Sequence, residues 1–165
     1  MASSSKAGSN RVFGAYEYND HTKYYGQWSK DGLKHGFGHL ILPDSTRYDG
    51  SFSKGLFNGL GVLRFPDGAR YEGEFIHGWF HGYGVFWRAD GMKYEGEFSG
   101  GKVCGHGLVT YRDGNHGFPR NEGVFMNCRM INRKNCPDVI EKARSMSNSA
   151  RTLIQQNTKK YHSSK

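Results

Sequence analysis

The chain has 165 residues, enough for one domain with tails, and only 36% of them are apolar, which is low for a two-layer globular fold. It contains 24 glycines, 10 tyrosines and 11 phenylalanines, a pairing that favours a sheet in which glycine leaves room for large rings. The formal net charge is +8, but residues 12–119 carry 11 Lys or Arg against 12 Asp or Glu, whereas residues 120–165 carry 10 against 3. Because the repeat body is nearly neutral and the basic C-terminal quarter lacks interleaved aromatic residues, composition argues against a nucleic-acid-binding surface.

The N-terminal residues 1–11 are rich in Ser, Gly and Ala, without the apolar segment of a signal peptide, and we expect them to be flexible. No apolar run in the sequence is long enough to cross a bilayer. Three cysteines without regular spacing indicate a reducing compartment rather than a disulfide framework. The sequence therefore predicts a cytoplasmic protein.

One phrase, aromatic-x-Gly-x-aromatic, recurs along the chain and predicts the fold. Its central glycines are residues 26, 50, 73 and 96, and a weaker copy is centred on residue 123, so the intervals are 24, 23, 23 and 27. A Gly-x-Gly phrase follows each of the first four copies, and most of these are followed by an Asp-Gly turn signal. Two short extended segments per period, each bounded by Gly, Asp or Pro, are typical of a tandem β-hairpin repeat. Residues 14–20 match the second half of one unit and predict a half-repeat at the start.

Strand alternation assigns the side chains of each hairpin to two faces. In the third unit Tyr71, Gly73 and Phe75 fall on one face, while Glu72 and Glu74 fall on the other. The glycines allow the rings to lie against bare backbone of the neighbouring unit, where any Cβ would push them away. The sequence thus predicts a mainly β fold over residues 12–130: an elongated, groove-shaped, single-layer antiparallel sheet of about ten strands.

After residue 130 the apolar period changes from 2 to 3.6, with Val139, Ala143, Met146, Ala150 and Leu153 on one stripe. We expect a helix over residues 131–157 that docks on the last hairpin and caps the open sheet edge, followed by a disordered basic tail over 158–165. A basic amphipathic helix for acidic lipid or calmodulin is the alternative interpretation.

No catalytic or metal-binding constellation is predicted. The histidines are scattered about one per repeat, whereas metal ligands converge at short spacing. The cysteines lie in no nucleophile motif, and the Glu pairs of successive hairpins repeat identically, as cross-strand partners of Lys and Arg do. We therefore expect a non-enzymatic protein with no catalytic residues, no cofactor, no metal and no small-molecule substrate.

The repeated aromatic-x-Gly-x-aromatic and Gly-x-Gly phrases, with their Asp-Gly turns, resemble the MORN-repeat family over residues 12–130. The segments 116–123 and 136–145 resemble the retinophilin group of small MORN proteins, which are partners of class III unconventional myosins. The resemblance implies an adaptor that binds a myosin tail segment. It also implies association with the cytoskeleton in actin-rich projections such as filopodia, stereocilia and photoreceptor microvilli.

Three surfaces are candidates for partner binding. The aromatic side of the sheet is the expected groove for a protein partner, formed by Tyr48, Phe52, Leu63, Phe65, Tyr71, Phe75, Phe86, Tyr94 and Phe98. Two hairpin links carry a pair of large apolar residues, which predicts a contact rim at Leu56, Phe57, Trp79 and Phe80, unless these residues pack along the stack. The alternative function is a peripheral membrane adaptor that binds anionic phospholipid through Lys142, Arg144, Arg151, Lys159 and Lys160. Self-assembly through the exposed sheet ends is a further possibility.

Overall fold

A computed structural model describes residues 12–162, with side chains up to residue 159. Eleven strands form one antiparallel sheet in which sequence order is also spatial order. The strands are β1 (Val12–Glu17), β2 (Lys23–Trp28), β3 (Lys34–Ile41), β4 (Arg47–Ser53), β5 (Leu56–Arg64), β6 (Arg70–Ile76), β7 (Trp79–Trp87), β8 (Lys93–Ser99), β9 (Lys102–Thr110), β10 (Glu122–Met126) and β11 (Arg129–Arg133). A single helix, α1 (Pro137–His162), follows them.

The predicted fold class is confirmed: the chain is a single antiparallel sheet of tandem hairpins with one C-terminal helix. The helix begins and ends later than the range 131–157 expected from the sequence, because residues 131–133 belong to β11 and residues 158–162 are helical. Within the described range, no helix is both long and apolar enough to span a bilayer. The segment predicted to be flexible, residues 1–11, lies outside the described residues.

The turns on one side of the sheet share a hydrogen-bonding device. At each of them an aspartate carboxylate accepts the backbone N–H of the residue two positions later, as Asp67 does from Ala69 at 2.9 Å. This contact closes the turn locally and satisfies an N–H that the strand ladder leaves free. The aspartates are Asp20, Asp44, Asp67, Asp90 and Asp113.

A row of glycines crosses the sheet and carries the tyrosine rings. Gly73 of β6 lies opposite Gly84 of β7, and the Tyr71 ring covers both. A Cβ on Gly84 would lie 2.4 Å from the Tyr71 Oη atom and 2.6 Å from its ring carbons. The Tyr71 hydroxyl donates to the Glu74 carbonyl oxygen at 2.9 Å, which holds the ring flat. The expected pairing of ring and glycine is confirmed, but each ring covers its own hairpin rather than the neighbouring unit.

The rings of successive hairpins pack on each other and form the main core. Tyr71 stacks on Phe80 at a centroid distance of 4.1 Å and meets Phe75 and Phe98 edge to face. The second hairpin repeats this arrangement with Tyr48 stacked on Phe57. Edge-to-face and offset contacts are the geometries that aromatic quadrupoles favour. We call this side of the sheet the aromatic face; its buried residues are Tyr24, Leu40, Tyr48, Phe52, Leu63, Tyr71, Phe75, Tyr94, Phe98 and Phe125.

The helix lies across the opposite side of the sheet, which we call the helix face. It contacts β4 to β9, and its first turn packs Ile140 against Leu108. Ala143, Ser147 and Ala150 are buried, and these small side chains let the helix approach the strands closely. The expectation that α1 docks on the last hairpin and caps the sheet edge is therefore wrong. A 26-residue helix is about 39 Å long, so laid across the strands it reaches from β9 back to β4.

A row of carboxylates on the helix face fixes the helix. Arg144 donates to Glu95 from Nε at 2.7 Å and from Nη2 at 3.2 Å. The Ser147 hydroxyl donates to Glu72 at 2.6 Å, and Arg151 Nε lies 3.3 Å from the same carboxylate. Burial opposes ionisation of Glu95, but hydrogen bonds from Arg144 and Lys93 outweigh it and hold the pKa of Glu95 below its usual value. The ion pairs thus set the position of the helix along the sheet.

Candidate protein-binding surface

Most of the residues predicted to form the partner-binding groove are buried within the chain itself. Tyr48 is 1% exposed, Tyr71 0% and Phe75 1%, and Phe52, Leu63, Tyr94 and Phe98 are also buried. Their rings are covered by one another and not by the helix, which lies on the helix face. Only Phe65 and Phe86 of the nine predicted groove residues are partly exposed. The groove prediction therefore needs correcting: seven of its residues form a floor, and only two reach the surface.

A longer set of partly exposed side chains borders this floor. They are Tyr18, Trp28, Leu42, Phe57, Phe65, Phe80, Phe86, Val103, Val109 and Met130. Within the part of the chain that the structure describes, no other element covers the aromatic face, because all strands lie in one sheet and α1 packs on the other side. Ten strand spacings extend about 48 Å, so the aromatic face is a long, uncovered apolar surface.

The four residues of the predicted rim separate into two pairs. Phe57 and Phe80 stack on Tyr48 and Tyr71, so they belong to the aromatic core, as the alternative interpretation of this rim allowed. Leu56 and Trp79 are 48% and 62% exposed and, by strand alternation, point away from the aromatic face.

The exposed rim residues have an apolar neighbour that was not predicted from the sequence. Ile76 lies directly opposite Trp79 across the hairpin and is 43% exposed. An apolar residue at the last position of a strand, beside a two-residue turn, was the signal that could have identified it.

The cations predicted to contact lipid are partly engaged with the sheet. Arg144 and Arg151 pair with Glu95 and Glu72, and Lys142 Nζ lies 5.4 Å from the centre of the Tyr83 ring. Lys159 is exposed, and the side chain of Lys160 is outside the described residues. Two of the five predicted cations therefore help to attach the helix to the sheet.

The repeated Glu pairs have two different roles. Glu72 and Glu95 form ion pairs at 3.1 Å with Arg70 and Lys93 of their own strands, rather than with the cross-strand cations expected from the sequence, and in addition bind the helix. Glu74 and Glu97 instead accept backbone N–H groups of the next strand. Glu74 accepts from Tyr83 at 2.6 Å, beside the irregularity where the β6–β7 register shifts. That role follows from the bulge in each hairpin, which the sequence pattern did not predict.

The titratable groups of the described chain do not converge on a reactive centre. No group of three or more His, Cys, Asp and Glu side chains within residues 12–159 is placed to hold a metal ion. Burial and the neighbouring Glu122 carboxylate raise the pKa of the Cys136 thiol, which disfavours the nucleophilic thiolate. The chemistry that this geometry supports best is contact with another macromolecule.

Comparison with known sequences agrees with the hairpin arrangement. The MORN repeat profile matches four consecutive segments, residues 24–47, 48–70, 71–93 and 94–116. The chain belongs to the MORN-repeat family. Each matched segment holds one tyrosine that covers a glycine pair, so the family repeat and the structural repeat coincide.

Among curated relatives, the MORN repeat-containing protein 4 homolog of Drosophila melanogaster is 63% identical over 146 residues, which is 88% of this chain and 73% of that protein. The small MORN protein predicted from the sequence is thereby confirmed. Among solved structures, the TCP domain of Drosophila SAS-4 in complex with a proline-rich motif of Ana2 is 14% identical, with a TM-score of 0.22, over 76% of this chain and 96% of that chain. This similarity is too low to indicate a shared fold or function.

Proposed function

We propose that this MORN-repeat protein is a non-enzymatic adaptor that binds a segment of another protein along the aromatic face. The observation that carries the proposal is an apolar face about 48 Å long that no described element of the chain covers. Soluble monomers rarely leave a continuous apolar surface of this length open, and such surfaces are typical of contact sites.

The composition of the aromatic face supports a protein ligand. Its accessible residues are mainly aromatic, and aromatic residues dominate the energetics of protein interfaces. The buried rings beneath are locked by stacking and by tyrosine hydrogen bonds, so the surface is ordered before a partner arrives. A preorganised surface loses little conformational entropy on binding.

The proposed partner is a tail segment of a class III unconventional myosin, and the proposed location is the cytoplasm of actin-rich cell projections. This assignment comes from the resemblance of segments 116–123 and 136–145 to the retinophilin group. A long aromatic face suits an extended or helical segment better than a globular domain, because its accessible residues border the buried rings from the end of β1 to β11.

Calorimetric titration with a recombinant class III myosin tail fragment tests the proposal. The variant Phe65→Ala with Phe86→Ala removes two partly exposed rings from the aromatic face and leaves the buried tyrosines in place. We expect affinity to fall at least tenfold, or about 1.4 kcal/mol. Circular dichroism should confirm that this double variant and the wild type have the same secondary structure.

The matched control is Leu56→Ala with Trp79→Ala, which removes two exposed apolar residues that point away from the aromatic face. Near-wild-type binding by this control, with loss in the aromatic-face variant, supports the proposal. The opposite result would place the partner at the hairpin tips and refute the aromatic-face assignment. The lipid alternative has its own outcome: co-sedimentation with phosphatidylserine vesicles that is lost in Lys142→Gln with Lys159→Gln, two cations outside the ion pairs with Glu72 and Glu95.

A further inference from the structure

The first strand of the sheet has an open edge without the usual protection. Within the described residues β1 pairs with β2 alone, so its outer backbone groups face away from the sheet. Natural sheets protect such edges with Lys, Arg or Pro, and the opposite edge strand, β11, has an arginine at each end. In contrast, β1 reads Val-Phe-Gly-Ala-Tyr-Glu and has a single charged residue, Glu17 at its last position, and no proline.

The side chains of β1 are also exposed and apolar. Val12 is 67% exposed and Tyr16 55%, and both lie on the aromatic face, since they oppose Trp28 and Tyr24. Phe13, on the helix face, is 37% exposed. An exposed edge strand that is apolar on both faces is a template for pairing with another strand.

The glycine row selects one register for such pairing. Gly14 lies opposite Gly26 and is the outermost member of the row. If a second copy pairs antiparallel with Gly14 opposite Gly14, then Val12 opposes Tyr16 on the aromatic face and Phe13 opposes Ala15 on the helix face. Each large side chain thus faces a smaller one.

Two surface hollows beside β1 match these side chains. One, of about 280 Å³, is lined by Ala15, Tyr25, His39 and Ile41 among others, and it opens where Phe13 of the second copy would lie. The other, of about 430 Å³, is lined by Tyr16, Tyr18 and Trp28 among others, where Val12 and Tyr16 of the second copy would lie. Both hollows border the same two residues of β1, Ala15 and Tyr16.

We propose that β1 is a self-association edge, through which two copies join antiparallel about Gly14 into one continuous 22-stranded sheet. The two-fold axis runs perpendicular to the sheet, so both aromatic faces lie on the same side of the dimer. A ligand with two binding segments, or two linked ligands, can then engage both halves and gain avidity.

The small area of this interface indicates a low dimerisation affinity. Two six-residue strands and their side chains bury an area near or below the lower limit of standard interfaces, about 1,200 Å² in total. We therefore expect a weak, reversible dimer, with a dissociation constant of about 100 μM, that dissociates on dilution.

Sedimentation equilibrium of the full chain between about 10 μM and 1 mM tests the proposal. The average mass should rise from 18.6 kDa towards twice that value with concentration. The variant Val12→Lys with Ala15→Lys places a cation on each face of the edge and should weaken self-association at least tenfold, with an unchanged circular dichroism spectrum. A wild type that stays monomeric at 1 mM, or a dimer that the lysine variant preserves, overturns the proposal.

Disulfide trapping tests the register independently. Gly14 is the one described β1 position that faces itself across the axis, and a Cβ there makes ordinary contact, 3.6 Å from the Trp28 Nε1 atom. In a Cys128→Ser background, which removes the exposed native thiol, Gly14→Cys should form a covalent dimer on mild oxidation. Phe13→Cys should not, because it faces Ala15. Equal trapping at both positions refutes the pairing about Gly14.

Discussion

Adding one methyl group to the glycine row tests whether the rings require bare backbone. In Gly84→Ala the new Cβ would lie 2.4 Å from Tyr71 Oη and 2.6 Å from two of its ring carbons, so the ring has to move by about 1 Å to restore ordinary contact. The backbone conformation is not an obstacle, because Gly84 is not among the residues with a left-handed φ. Any loss of stability therefore reports on the ring.

The expected cost combines two effects. Overpacking a close-packed core costs about 1–3 kcal/mol. Displacing Tyr71 also weakens its hydrogen bond to the Glu74 carbonyl oxygen and its stacking on Phe80, at about 1 kcal/mol or more. We expect Gly84→Ala to lower the free energy of unfolding by about 2–4 kcal/mol.

Urea unfolding followed by circular dichroism, at about 10 μM protein to avoid self-association, measures the change. The matched control is Gly14→Ala, in the same glycine row, where the Cβ has room. It should be neutral or slightly stabilising, because alanine loses less backbone entropy than glycine on folding. A double-mutant cycle with Tyr71→Leu should recover at least 1.5 kcal/mol of the Gly84→Ala cost. Equal stability of Gly84→Ala and Gly14→Ala, within about 0.5 kcal/mol, would refute the role of the glycine row.

Three further predictions concern the core, the helix and the buried phenols. Phe80→Ala should destabilise the fold by about 3 kcal/mol because its ring is stacked in the core, whereas the exposed Trp79→Ala should cost under about 1 kcal/mol in the same urea experiment. Arg144→Met should cost about 1–2 kcal/mol at pH 7, a modest loss because the arginine is half-exposed and screened by solvent. Because the folded pKa of Glu95 is lowered, the contribution of the ion pair is lost as pH falls through that pKa, below the usual value of 4.5, and the difference should shrink there. A pH-independent difference would contradict the ion-pair interpretation. Burial raises the pKa of Tyr48, Tyr71 and Tyr94 far above 10. In an alkaline titration at 295 nm these phenols should therefore ionise only as the protein unfolds, and stability should fall as pH rises above about 10. Early ionisation of all phenols would count against this prediction.

The sequence contains enough information to predict the hairpins because their requirements are local. A glycine row beside tyrosines, at intervals of 23 or 24 residues, specifies strand pairs whose faces follow from alternation. The same pattern separates Glu72 and Glu95 from the rings, and the structure agrees. Burial of the groove rings was not predicted, because a period shows which face a ring lies on but not how closely the rings of adjacent units pack.

Only the tertiary structure decided where α1 lies, and the reason is a match between two unrelated spacings. Arg144 and Arg151 are seven residues apart, a helical rise of about 10.5 Å, and their partners Glu95 and Glu72 are two strands apart, about 9.6 Å. The apolar stripe of the helix fits an edge or a face equally well, since hydrophobic burial is non-directional. The two ion pairs select the face, because charged groups bind only where partners of opposite charge occur at the same spacing.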